Sequence, residues 1–80
     1  MVEYKLVDID DEGRLVYEYW IENRRDDKGL AALDPETGEA EVTQRAPGGF
    51  GWHEGHLLSD LRRKWRSGDK EPERGFVAWY

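Results

Sequence analysis

The chain contains no cysteine, so neither a disulfide framework nor thiol chemistry is available to it, and a reducing, cytoplasmic setting suits it. It has no apolar run approaching the ~20 residues that a membrane span requires. The opening residues, Met1-Val2-Glu3-Tyr4-Lys5, lack the basic-then-apolar layout of a secretory signal, so no leader is expected. Histidine is scarce as well. With two histidines and no thiolate, any metal site would have to complete itself from carboxylates or water. Ser59 and Ser67 are the only serines; both fall in a stretch of helical periodicity without the strained turn that activates a nucleophile. At this length a pocket of ~300 Å³ or more is also hard to build. Together these absences predict a protein that is not an enzyme and carries no cofactor.

What the chain does have is charge and aromatic surface. Its 80 residues make one small domain spanning 1–80, too short to divide. Ten aromatic side chains, each able to bury ~150–250 Å², supply a core that the polar composition alone would deny it. The formal net charge of −6 is unevenly placed: residues 1–44 carry 13 acids against 5 bases, and residues 45–80 carry 5 against 7. An acidic chain is repelled by nucleic acid and anionic membranes and favours a cationic partner surface.

The hydrophobic pattern changes period once. Residues 3–9 alternate weakly, with Tyr4 and Leu6 on one face and Val7 and Ile9 shifted to the other. Asp10-Asp11-Glu12-Gly13 reads as a tight turn. In Leu15-Val16-Tyr17-Glu18-Tyr19-Trp20-Ile21-Glu22, the residues Leu15, Tyr17, Tyr19 and Ile21 alternate with Val16, Glu18, Trp20 and Glu22, the signature of a half-buried strand. Arg24, Arg25, Asp26 and Asp27 form a self-neutralising loop. Leu30 to Leu33 and Ala40 to Gln44 are two further strands around the turn Asp34-Pro35-Glu36-Thr37-Gly38-Glu39. After the glycine-rich break at 46–51, Leu57, Leu58, Leu61 and Trp65 share an arc of about 100°, the apolar stripe of one helix over 52–67. Arg62, Arg63 and Arg66 lie outside that stripe and read as its solvated back. Gly75-Phe76-Val77-Ala78-Trp79-Tyr80 closes the chain as a fifth strand. The order predicts an α+β fold: an antiparallel meander of about four strands, one amphipathic helix on one face, and the C-terminal strand added to the sheet.

Tyr17-Glu18-Tyr19-Trp20, Asp34 to Glu39 and the closing Gly75 to Tyr80 resemble, in the same order, segments of short bacterial hypothetical proteins that end in an Ala-Trp-Tyr strand. The resemblance implies a compact bacterial domain and assigns no activity or functional residue.

Three functional readings compete. His53-Glu54-Gly55-His56 places two imidazoles and a carboxylate within four residues, the material of a small metal-dependent or acid/base enzyme. Its i, i+3 spacing departs from the i, i+4 of zinc-binding helices, so a helix first turn with Glu54 at the positive dipole end is the better account. Glu54 nevertheless shares the arc of Leu58, Leu61 and Trp65 and must find a partner. Arg62-Arg63-Lys64-Trp65-Arg66 has the composition of a nucleic-acid-binding helix, but Trp65 belongs to the apolar stripe and the net charge opposes a polyanion. The third reading is preferred: a small acidic interaction or regulatory protein, of the kind seen in inhibitors and immunity proteins. Its expected anchors are Trp20, flanked by Glu18 and Glu22 on an open sheet face with Val16 and either Val77 or Trp79, and Phe50 and Trp52 in the glycine-rich connector. Through that face the chain would form a homodimer or hold a protein partner with a basic surface.

Overall fold

The computed structural model describes residues 1–22, 24–48 and 51–78. The elements are β1 (Val2–Ile9), β2 (Leu15–Ile21), β3 (Gly29–Leu33), β4 (Ala40–Gln44), α1 (Gly51–Arg66) and β5 (Arg74–Val77). All neighbours in the five-stranded sheet are antiparallel, in the order β4-β3-β2-β1-β5, and the helix lies on one face. The expected α+β architecture is the one observed. Trp79, Tyr80 and Phe50 fall outside the described residues. Among the described residues no helix is long and apolar enough to cross a membrane.

The central strand sets the two faces. Leu15, Tyr17, Tyr19 and Ile21 of β2 are buried beneath the helix, where they meet Val2 and Tyr4 of β1, Ala31 and Leu33 of β3, and Leu57 and Leu61 of α1. Three of these core residues are tyrosines, and each hydroxyl has a partner, as burial demands. Tyr4 donates to Asp60, Tyr17 to the carbonyl of Pro72 at 2.6 Å, and Tyr19 to Glu54 at 2.7 Å. Tyr4 and Tyr17 also meet edge-to-face at 5.7 Å.

Three local expectations need correction. Val7 sits at a bulge between the pairs Leu6–Tyr17 and Asp8–Val16, so one residue is absorbed and Ile9 returns opposite Leu15. Val7 and Ile9 therefore do not share a face shifted away from Tyr4 and Leu6. In β5 the register pairs Val77 with Val2 and Phe76 with Glu3, which turns Val77 toward the core and puts Phe76, 56% exposed, on the open face. The basic side of the helix is not all solvated: Arg62 Nη2 donates to the Ala40 carbonyl of β4 at 3.0 Å, and Lys64 Nζ donates to the Arg74 carbonyl of β5 at 3.1 Å.

The helix end is fixed locally. Gly68, at φ 110°, donates to the Trp65 carbonyl, while the Asp69 amide donates to that of Lys64, a pairing that satisfies two terminal carbonyls. Trp65 then lies over the β3–β4 turn, donating from Nε1 to the Pro35 carbonyl at 2.7 Å. Gly38, at φ 80°, faces the indole so closely that a β-carbon there would stand 2.5 Å from it.

Candidate functional site

Two places deserve a site's description: the start of the helix and the sheet face the helix leaves uncovered. At the helix start, His53 and Glu54 are buried and His56 is exposed. The partner that Glu54 requires is there. Its carboxylate accepts the Tyr19 hydroxyl at 2.7 Å and pairs with Arg45 at 2.9 Å, and the Tyr19 oxygen in turn accepts the Ala46 amide at 3.0 Å. This chain of contacts ties β2, the segment after β4 and α1 together, which commits Glu54 to the fold. Trp52 is 53% exposed and stacks on the His53 ring at 3.9 Å. Among the described residues no group of three or more His, Cys, Asp or Glu side chains converges to hold a metal ion.

Two groups on the helix make the fold sensitive to acid. Burial, with the amino-terminal charge second, lowers the affinity of His53 for a proton. Burial alone would raise the Asp60 carboxyl, but hydrogen bonds from Tyr4 and Arg63 and the charge of Lys64 hold it below the usual range. In both cases the unfolded chain binds protons more readily than the fold, so stability increases with pH through each transition. The His53 contribution is full above about pH 6.5 and is lost as pH falls through the lower folded value; that of Asp60 is full above about pH 4 and is lost further down. Thermal melts between neutral and acid pH are expected to show the midpoint falling in these two stages. His53→Gln should flatten the upper stage and leave the lower one. An upper stage unchanged in that variant would assign it elsewhere.

The uncovered face is built by cross-strand rows. Phe76, Glu3 and Trp20 stand side by side on β5, β1 and β2, and the next row is Arg74, Lys5, Glu18 and Leu30. Trp20 Nε1 donates to Glu3 at 2.6 Å, which fixes the indole, and the Arg25 guanidinium lies 5.8 Å from the ring centroid. Glu18 is met by Lys28 at 3.3 Å. Lys5 and Arg74 are directly opposed like charges, an arrangement that costs stability in a sheet, and among the described residues neither is paired with a carboxylate. All of these side chains except Leu30 line an open groove of ≈ 590 Å³. The space exceeds what the chain length led us to expect because it is a surface trough rather than an enclosed cavity.

The sequence therefore located Trp20 and Glu18 on this face, but not its whole wall. Glu22 lies beyond β2 in a left-handed conformation, φ 56°, and accepts the amino terminus at 2.8 Å. Trp52 does not line the groove. Phe76, Arg74 and Lys5 join Trp20 only through the β1–β5 register, and Arg25 only through the path of its loop. The directly opposed Lys5 and Arg74 become visible once that pairing is known.

No family model, curated protein or solved structure matches the chain.

Proposed function

We propose that this chain is a small, acidic, non-enzymatic interaction or regulatory protein that acts by covering part of another protein chain, in the manner of cytoplasmic inhibitors and immunity proteins. One observation carries the reading: Trp20 and Phe76 flank Glu3 on the sheet face that the helix does not cover, and they open into one groove. Aromatic side chains on a flat face, rimmed by charge, are the anchors on which interfaces concentrate their energy. The rim also bears on the polarity of the partner. A basic partner was expected from Glu18 and Glu22, yet each already has a cation, Lys28 and the amino terminus respectively. Among the described residues Lys5 and Arg74, side by side on this face, have no carboxylate partner, which supports a partner surface that is acidic at that point.

The test is Trp20→Ala. The indole is half-buried and its loss costs the monomer about 1 kcal/mol, a fall in melting temperature of roughly 4–8 °C for a domain this size. Association should weaken far more, by about 30-fold or greater for an anchor worth some 2 kcal/mol. The measurement is capture of partners from the native host by the immobilised wild type and variant, with circular dichroism on both. Equal capture by two folded proteins would end this reading.

A further inference from the structure

The groove on the uncovered face carries uncompensated charge of both signs and keeps the two signs apart. Glu3 and Lys5 are alternate residues of β1, so both project from this face, with their backbone positions about 6.7 Å apart. They do not pair with each other. The Glu3 carboxylate instead accepts the Trp20 Nε1 proton at 2.6 Å. That donor is neutral and leaves the charge in place, and among the described residues no cation comes within ion-pair distance of it. Lys5 stands between Arg74 on β5 and Glu18 on β2, but Glu18 is held by Lys28 at 3.3 Å. One row therefore sets a carboxylate between two aromatic side chains, Phe76 and Trp20. The next sets two cations, Arg74 and Lys5, directly opposite each other.

We propose that this groove binds an extended segment of a partner protein that presents two side chains of opposite charge at alternate positions. A lysine or arginine of the segment lies over the Phe76–Glu3–Trp20 row, and an aspartate or glutamate lies over the Arg74–Lys5 row. The spacing is that of an extended chain. Alternate residues of such a chain point to the same side about 6.7 Å apart, which is the separation of the two rows. Glu3 decides the place of the cation. A carboxylate covered by an apolar side chain loses water and gains no partner, so the residue seated there must donate to it. The stem of a lysine or arginine meanwhile covers the aromatic rings on either side. Lys5 and Arg74 decide the place of the anion, because a carboxylate between them relieves their opposition. Occupants of a single charge sign fit poorly. A polyanion would meet Glu3, Glu18 and Asp26 in this groove, and a polycation would meet Lys5, Arg25, Lys28 and Arg74. The inference rests on the reading of this face as an interaction surface and specifies the segment that the partner offers it.

Titration of the isotope-labelled full chain with short alanine-based peptides, acetylated and amidated, tests it. Binding is read from the nuclear magnetic resonance shifts of the Trp20 indole N–H and of the Glu3, Lys5 and Phe76 amides. The four probes carry arginine and glutamate at alternate positions, arginine and glutamate side by side, two glutamates at alternate positions, and two arginines at alternate positions. The first should bind about 10-fold or more tightly than the other three. Lys5→Glu/Arg74→Glu should reverse the preference, making the two-arginine peptide the tightest. Glu3→Gln keeps an acceptor for Trp20 and removes the charge, so it should weaken the mixed peptide by about 5-fold and leave the two-glutamate peptide no weaker. Circular dichroism establishes that the variants are folded; if the double glutamate variant is not, loss of the preference in Lys5→Gln/Arg74→Gln reads the same contact. No shift at these resonances, or equal affinity for all four peptides, overturns the charge pair. Tighter binding of the two-glutamate peptide, or retention of a single-stranded oligonucleotide that is abolished by Lys5→Glu/Arg74→Glu, overturns it in favour of a purely anionic occupant. Capture of a host partner that is lost with Trp20→Ala but undiminished in Glu3→Gln and Lys5→Glu/Arg74→Glu overturns the segment and leaves the interaction face standing.

Discussion

Removing residues 75–80 is expected to abolish the cooperative unfolding transition. The segment takes away Val77, which packs on the core beside Val2, and the strand partner of β1 from Val2 to Tyr4. It also uncovers Tyr4. Gly75 lies against that ring so closely that a β-carbon would stand 2.2 Å from it, so the glycine forms the outer wall of the buried tyrosine of β1. Burial of one valine is worth about 1.5–3 kcal/mol, and each ladder hydrogen bond adds about 0.5–1.5 kcal/mol. Exposure of the Tyr4–Asp60 pair comes on top of these losses. A domain of this length has a total stability of about 4–12 kcal/mol, which the combined loss consumes. A thermal melt followed by circular dichroism decides the matter. A truncated chain that keeps the native spectrum and a sharp transition would mean that β5 is dispensable.

Gly29→Ala is expected to lower the melting temperature by roughly 15 °C or more, corresponding to about 3–5 kcal/mol. Gly29 pairs with Tyr19, and the phenol lies across the glycine: a β-carbon there would stand 2.5 Å from the ring and 2.6 Å from the Gln44 carbonyl oxygen. Neither neighbour can yield cheaply. The carbonyl belongs to the backbone of β4, and the ring is held by its bonds to Glu54 and Ala46. Overpacking of this sort costs about 1–3 kcal/mol, and moving the phenol adds about 1–3 kcal/mol for a buried carboxylate left short of a donor. Gly29 has no positive φ, so the effect isolates space from backbone strain. A variant that melts within a few degrees of wild type would show that Tyr19 relocates without loss.

Both expectations depend on contacts that the alternation of apolar residues does not contain. Period-two patterning in β2 and period-3.6 patterning in α1 identify the elements and sort Leu15, Tyr17, Tyr19 and Ile21 onto one side, but which of the two sheet faces the helix covers is decided by packing and not by the alternation. Phase was less legible. Val7 absorbs one residue in a bulge, and the sequence shows this only as a break in alternation that two arrangements fit equally well. The helix was readable as apolar in front and basic behind, but a long side chain is not confined to the face from which it starts. Arg62 and Lys64 span their helix and reach backbone at the sheet. For the candidate site the limit was register. Trp20 was legible from its own strand, whereas Phe76, Lys5 and Arg74 belong to strands at opposite ends of the chain, and only their pairing makes them neighbours. Glu54 was the opposite case: its place on the apolar arc predicted a partner, and Tyr19 and Arg45 supply two.

The two basic side chains that cross from the helix to the sheet occupy a carbonyl on each outermost strand, Ala40 of β4 on one side and Arg74 of β5 on the other. A margin on which a cation already occupies a carbonyl is a poorer template for a strand from another molecule. On the upper part of β1, where β5 no longer runs alongside, the Asp8 carboxylate accepts the Ile9 amide at 2.8 Å and withdraws a donor in the same way. Growth by strand addition, which has no natural end and leads to fibrils, is thereby discouraged at both borders. What guards the sheet against open-ended pairing is thus where a lysine, an arginine and an aspartate place their tips.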